Sequence, residues 1–153
     1  MRPAPGFVRL PYQLTEVPLA LFDELHAAAV AARAKAHAPY SNFHVGAAIA
    51  DETGRVHAGC NIENAAYPEG WCAETSAIAH MIMAGGRTIT AVAVVAPRIP
   101  GGRFCTPCGG CRQRLAEFAG PDTTVTVFAP DGAHASFTMA SLLPEGFSLE
   151  GRE

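Results

Sequence analysis

Three cysteines and one glutamate stand at spacings that suit metal chemistry: Cys72-Ala73-Glu74, and further along Pro107-Cys108-Gly109-Gly110-Cys111. Cys108 and Cys111, at i and i+3 on a helical turn, point the same way, so both sulfurs can reach one ion about 2.3 Å from each. Cys72 supplies a third thiolate. A structural zinc site closes with four protein ligands, whereas a catalytic one keeps three and leaves the fourth place to water. A carboxylate two residues from the first cysteine can then move that water's protons. The pattern therefore predicts one Zn²⁺ per chain and a hydrolytic centre. Three thiolates on Zn²⁺ leave a net charge of −1 before water binds, so something positive is wanted nearby.

These residues must be held by helix starts, where unpaired backbone N–H groups and the helix dipole favour anionic sulfur. Helix formers run from 73 to 83, ending at Gly85-Gly86, and a further helix is expected over 109–118. A first helix over 19–35 is predicted from Leu21, Leu25, Ala28, Ala29 and Ala32, with Pro39 beyond it. Strands are expected at 44–50 and 55–62, around the turn Asp51-Glu52-Thr53-Gly54, and at 88–96, 123–128 and 135–138. Of these, 88–96 reads as buried on both faces. The order gives a three-layer α/β/α sandwich with a mixed five-stranded sheet, its site built at two helix starts.

The bulk properties agree with one folded domain over residues 1–153, with an irregular extension over 1–15. Hydrophobic residues are 49% and charged residues 16% of the chain. No apolar run approaches a membrane span, and the N-terminus lacks an apolar signal core, so residence in the cytoplasm is expected. A formal charge of −3 without a run of Lys or Arg lacks the electrostatic footprint of a nucleic-acid binder. A small neutral substrate fits better. Five cysteines in a cytosolic chain read as metal or catalytic thiols before disulfides. Cys60 reads as a buried small hydrophobe, and Cys105 as the competitor of the Pro-Cys-x-x-Cys pair for the ligand role. Taken alone, Cys108 and Cys111 also fit a redox pair or half a structural zinc knuckle, with His44 or Cys105 closing the latter. His26, His37, His57, His80 and His134 have no ligand spacing and read as surface or packing residues. Trp71 reads either as lining the pocket or as packing against a neighbouring chain, with packing preferred.

Cys-x-Glu followed by Pro-Cys-x-x-Cys is the zinc deaminase signature in its three-cysteine form, a match by recognition rather than deduction. Around it, residues 40–48 (Tyr-Ser-Asn-Phe-His-Val-Gly-Ala-Ala), 59–67 and Cys108-Gly109-Gly110-Cys111-Arg112-Gln113 resemble the small homotetrameric cytidine deaminases, over roughly residues 20 to 147. The resemblance implies zinc-dependent hydrolytic deamination of cytidine and deoxycytidine. It implies Cys72, Cys108 and Cys111 as zinc ligands and Glu74 as proton shuttle. Asn61 and Glu63 would hold the ribose hydroxyls, Phe43 and Ala73 would touch the substrate, and Phe147 would stack near the base of an adjacent subunit's site. A blasticidin-type antibiotic deaminase and a zinc-binding module without catalysis are the alternatives. One position departs from the family pattern: Thr75 stands where Arg commonly follows the Glu and offsets thiolate charge. The Thr75 hydroxyl, Arg112 and the helix ends are the candidate substitutes, with the helix ends and Arg112 preferred.

Overall fold

The computed structural model describes residues 13–149. Residues 1–12 of the expected irregular extension lie outside them. The described part of that extension runs beside the sheet, where Thr124 Oγ1 donates to the Thr15 carbonyl at 2.6 Å. The element order is α1 (Leu19–Arg33), β1 (Gly46–Asp51), β2 (Val56–Cys60), a 3₁₀ turn (Tyr67–Glu69), α2 (Ala73–Met83), β3 (Ile89–Val95), α3 (Gly109–Ala116), β4 (Ala119–Phe128), β5 (His134–Thr138) and α4 (Met139–Leu142). The strands form one sheet in the order β2-β1-β3-β4-β5. Only β3 and β4 are parallel; the other neighbours run antiparallel, so the sheet is mixed as expected.

Period-two alternation along the central strands divides the core into two layers. Ala47, Ile49, Val92, Val94, Val125 and Val127 face α2 and α3, meeting Ala77, Met81 and Leu115. Ala48, Ala50, Ala91, Ala93 and Val95 face α1, meeting Leu25 and Ala29. Small residues on that face let α1 lie close. Gly46 carries this furthest, since a Cβ there would overlap Ala29 O and the Arg33 backbone; on the other face one at Gly59 would overlap Ala77 N and Ala73 O of α2. Each glycine thus sets how near a helix sits to its strand.

Register decides where the site forms. Gly46 pairs with both Cys60 and Val95, and Val95 with Phe128, so the start of β1 and the ends of β2, β3 and β4 meet at one end of the sheet. Phe43, Asn61 and the loop leading to Cys108 all emerge there. Beyond β2, Ile62 and Trp71 exchange two backbone hydrogen bonds of 2.8 Å, closing the 63–70 loop at its base and returning the chain to Cys72.

Five boundaries differ from the sequence expectation by two residues or more, the first being β1, which starts at Gly46 rather than 44. β2 stops at Cys60 because Asn61 and Ile62 turn away to pair with His37 and Trp71. β4 starts at Ala119, before the expected position. Its pairing with β3 shifts register between Ile89 and Ala91, which lets Gly120-Pro121-Asp122 bulge without Pro121 having to donate a ladder bond. α1 and α3 each end two residues early. α4 was not anticipated; Thr138 starts it by accepting the Ser141 N–H at 3.0 Å.

His57 is also more than a packing residue. It is buried with Nε2 2.8 Å from Asp51 Oδ2, and the same carboxylate accepts from Thr53 N, Thr53 Oγ1 and Arg55 N and Nε. The Thr53 and His57 bonds lead in holding the Asp51 carboxyl well below its ordinary range. A depressed folded-state pKa stabilises the fold above the ordinary carboxylate range and loses that contribution on acidification. Asp51→Asn is therefore expected to lower the thermal midpoint at pH 7. The gap to wild type should close as the pH falls below about 4. Melting curves from pH 7 to pH 3 check it; a gap that widens in acid would refute the assignment.

Candidate active site

Cys72 is the N-cap residue of α2 and Cys108 that of α3, so both helix-start expectations hold. The sulfurs of Cys72, Cys108 and Cys111 all lie within 4.8 Å of one another. Cys72 Sγ and Cys108 Sγ are 3.9 Å apart. Ligands 2.3 Å from one ion at tetrahedral angles would be about 3.8 Å apart, so the donor set fits zinc in both chemistry and spacing. The three sulfurs descend from solvent inward: Cys108 is exposed, Cys72 half-buried and Cys111 buried. Cys105 lies on the same pocket but outside the three-sulfur group, so it does not displace any of them. Cys60 is half-buried rather than a core residue.

Glu74 is buried, 5% exposed, with Oε2 3.4 Å from Cys111 Sγ. Burial pushes its carboxyl above the ordinary range, which suits a group that takes and returns protons near neutrality. Among the thiols, the hydrogen bond from Cys111 brings Cys72 down to about 6, while the same shared bond and burial push Cys111 up. The cluster readily carries one thiolate; completing the set as thiolates calls for a cation.

What balances that charge differs from the expectation. Arg112 is spent elsewhere: Nε donates to Pro107 O at 2.7 Å, Nη1 to Leu142 O at 2.9 Å and Nη2 to Thr106 Oγ1 at 2.8 Å. It braces the loop ahead of Cys108 instead of meeting the sulfurs. The helix ends do contribute, since Cys108 Sγ accepts the Cys111 N–H at 3.5 Å. Arg114, which the sequence reading passed over, favours the charged forms of both Cys72 and Glu74. Its signal was helical phase, because i+3 from Cys111 returns to nearly the same face.

Thr75 is buried, and its Oγ1 lies 4.0 Å from Cys111 Sγ. Against a deprotonated sulfur only the hydroxyl can donate, so Thr75 is placed to offer Cys111 a neutral donor. Thr75→Val removes that donor at nearly constant shape. It should loosen zinc about tenfold, the lower end for partners of metal ligands. Competition against a chromogenic chelator measures it, and unchanged zinc release would assign the hydroxyl no such role.

A pocket of 240 Å³ opens over the cluster, lined by Phe43, Asn61, Cys72, Ala73, Glu74 and Cys108, with Val94 and Thr106 behind. This is below the about 300 Å³ at which drug-sized pockets begin, a size that suits one heterocycle. The Asn61 amide holds the pocket's rim: Oδ1 accepts from Val45 N and Nδ2 donates to Phe43 O, both at 2.8 Å. Glu63 lines an adjoining 310 Å³ pocket with Tyr40, Ser41 and Tyr67 instead. Because β2 has ended by then, it does not share a strand face with Asn61. Its carboxylate accepts from Tyr40 N at 2.8 Å, from Ser41 N at 3.2 Å and from Ser41 Oγ, and the Ser41 hydroxyl leads in depressing its pKa. Phe147 stands away from both pockets within the chain, 74% exposed. Trp71 is also exposed, at a groove between α1 and α2.

A buried carboxylate beside three convergent sulfurs at helix starts, on an α/β/α sandwich, is the arrangement of a zinc-dependent hydrolytic centre. The family model for the cytidine and deoxycytidylate deaminase zinc-binding region matches residues 22–128. A cytidine deaminase of Sporosarcina psychrophila is 41% identical over 128 residues, spanning 84% of this chain and 92% of that protein. One from Mycobacterium tuberculosis is 36% identical over 129 residues, spanning 84% and 91%. The crystal structure of cytidine deaminase from Burkholderia pseudomallei superposes with a TM-score of 0.75 at 42% identity, covering 82% of this chain and 98% of that one. The chain belongs to the cytidine deaminase family.

Proposed function

We propose that this protein converts cytidine and deoxycytidine, as free nucleosides, to uridine and deoxyuridine with release of ammonia, in pyrimidine salvage. The observation that carries the reading is Glu74 buried against the Cys72, Cys108 and Cys111 sulfurs at the floor of a pocket sized for one heterocycle. The relatives named as cytidine deaminases support the substrate class.

Cys72, Cys108 and Cys111 would hold one zinc, which when bound supplies a Lewis acid that makes water acidic enough to attack near neutral pH. Glu74 takes the proton released as water adds to C4 of cytosine and delivers it to N3. When the C4–N bond breaks, Glu74 passes the second proton to the departing amine, and ammonia leaves with uracil on the sugar. Phe43 flanks the ring and Ala73, at the first turn of α2, contacts it. Asn61 has one N–H and one lone pair still unused, and Glu63 has unused lone pairs, so each can bond a ribose hydroxyl while keeping its loop. A carboxylate there disfavours a phosphate on the sugar.

We take residues 1–153 as a single domain and the working form as a homotetramer, with Phe147 of one chain completing the site of the next; its exposure supports that role. Five free cysteines suit the reducing cytoplasm. Among the described residues no helix is long and apolar enough to cross a membrane. An ultraviolet assay of cytidine loss by metal-quantified protein tests the reading, with cytidine monophosphate alongside. Protein carrying one zinc per chain that releases no ammonia from cytidine would overturn it.

A further inference from the structure

Helix α3 carries two of the sulfurs, and its next two residues both grip the C-terminal segment. Arg112 Nη1 donates to Leu142 O at 2.9 Å. Gln113 makes a two-point pairing with the backbone of Phe147: Nε2 donates to Phe147 O at 2.8 Å and Oε1 accepts from Phe147 N at 3.2 Å. One side-chain amide thus does for Phe147 what a neighbouring strand would do, in a stretch, 143–149, that has no helix or strand of its own. Between the two grips, Gly146 packs so closely on the Leu143 side chain that a Cβ there would come within 2.6 Å of Leu143 Cδ2. The backbone is held while the ring points out, 74% exposed.

An exposed aromatic ring on a tethered backbone loses less freedom on docking than one on a loose tail, so it binds at a lower entropic cost. We infer that Gln113 is a positioning residue, whose amide locks the Phe147 backbone onto α3 and presents the ring already ordered to the base pocket of an adjacent copy. The inference rests on the proposed role of Phe147 in the neighbouring site. It adds that the ring's placement is set by the same helix that carries Cys108 and Cys111, so the metal helix of one subunit aims the aromatic contact of the next.

Gln113→Ala, Phe147→Ala and the double variant test this by cytidine kinetics, zinc content and hydrogen exchange at the Phe147 amide. Gln113→Ala should raise KM about fivefold, in line with the loss of one or two hydrogen bonds, with kcat within about twofold and zinc unchanged. The Phe147 amide should exchange faster, and the double variant should bind cytidine no worse than Phe147→Ala alone. Three results would overturn the inference: wild-type exchange at Phe147 in Gln113→Ala, a KM rise that adds in full to that of Phe147→Ala, or a wild-type KM in Phe147→Ala. The exchange measurement needs no turnover. A zinc-loaded wild type that releases no ammonia therefore sinks the functional reading separately, while the clamp is still judged by exchange.

Discussion

Glu74→Gln is expected to keep its zinc and lose turnover by about 10²- to 10⁴-fold, the range that positioned proton transfer contributes. The amide is the same size as the carboxylate, so the buried site keeps its packing. It cannot accept the proton of the attacking water or return it to N3 and the leaving amine. Zinc should stay because the carboxylate's charge opposes ionisation of the neighbouring Cys72 and Cys111 thiols, and Gln removes that repulsion. A merely structural Glu74 predicts the opposite pairing, with activity tracking zinc. The check is kcat for cytidine together with metal content on the same preparation. Near-normal turnover in zinc-replete Glu74→Gln would remove Glu74 from the mechanism.

The sequence made the ligand set legible because its geometry is local. Cys108 and Cys111 share a helical turn, and Cys72 and Glu74 share a helix start, so spacing alone implies that these groups converge once the two starts meet. That they do meet depends on sheet register, where Gly46 lies between Cys60 and Val95. The charge balance was not legible for a related reason. Arg112 follows Cys111 by one residue and so projects about 100° away around the helix, toward Leu142 and Thr106. Proximity in sequence suggested Arg112; helical phase would have suggested Arg114. The early end of β2, at Cys60 rather than 62, was not legible either. Its turn at Asn61 depends on pairing with His37 and Trp71, which are distant in sequence. The early start of β4 was hidden by Gly120-Pro121-Asp122, turn residues by composition that the register shift tolerates.

Cys111→Ala should have the second large effect, and it discriminates between the ligand and its competitor. Cys111 is the deepest of the three sulfurs, 0% exposed, and it is the common partner of Glu74 Oε2 and Thr75 Oγ1. Removing it leaves two ligands for the metal and takes the sulfur from a buried carboxyl and a buried hydroxyl at once. Loss of a partner behind a ligand already costs 10- to 100-fold in metal affinity, so loss of the ligand itself should exceed about 100-fold and leave no measurable deamination. Cys105→Ala is the matched control. Its thiol borders the same pocket but stands outside the three-sulfur group. That variant should retain one zinc per chain and most of its activity. Zinc stoichiometry after dialysis against a weak chelator separates the two. Full zinc in Cys111→Ala, or its loss in Cys105→Ala, would reassign the third ligand and with it the position of Glu74 relative to the metal.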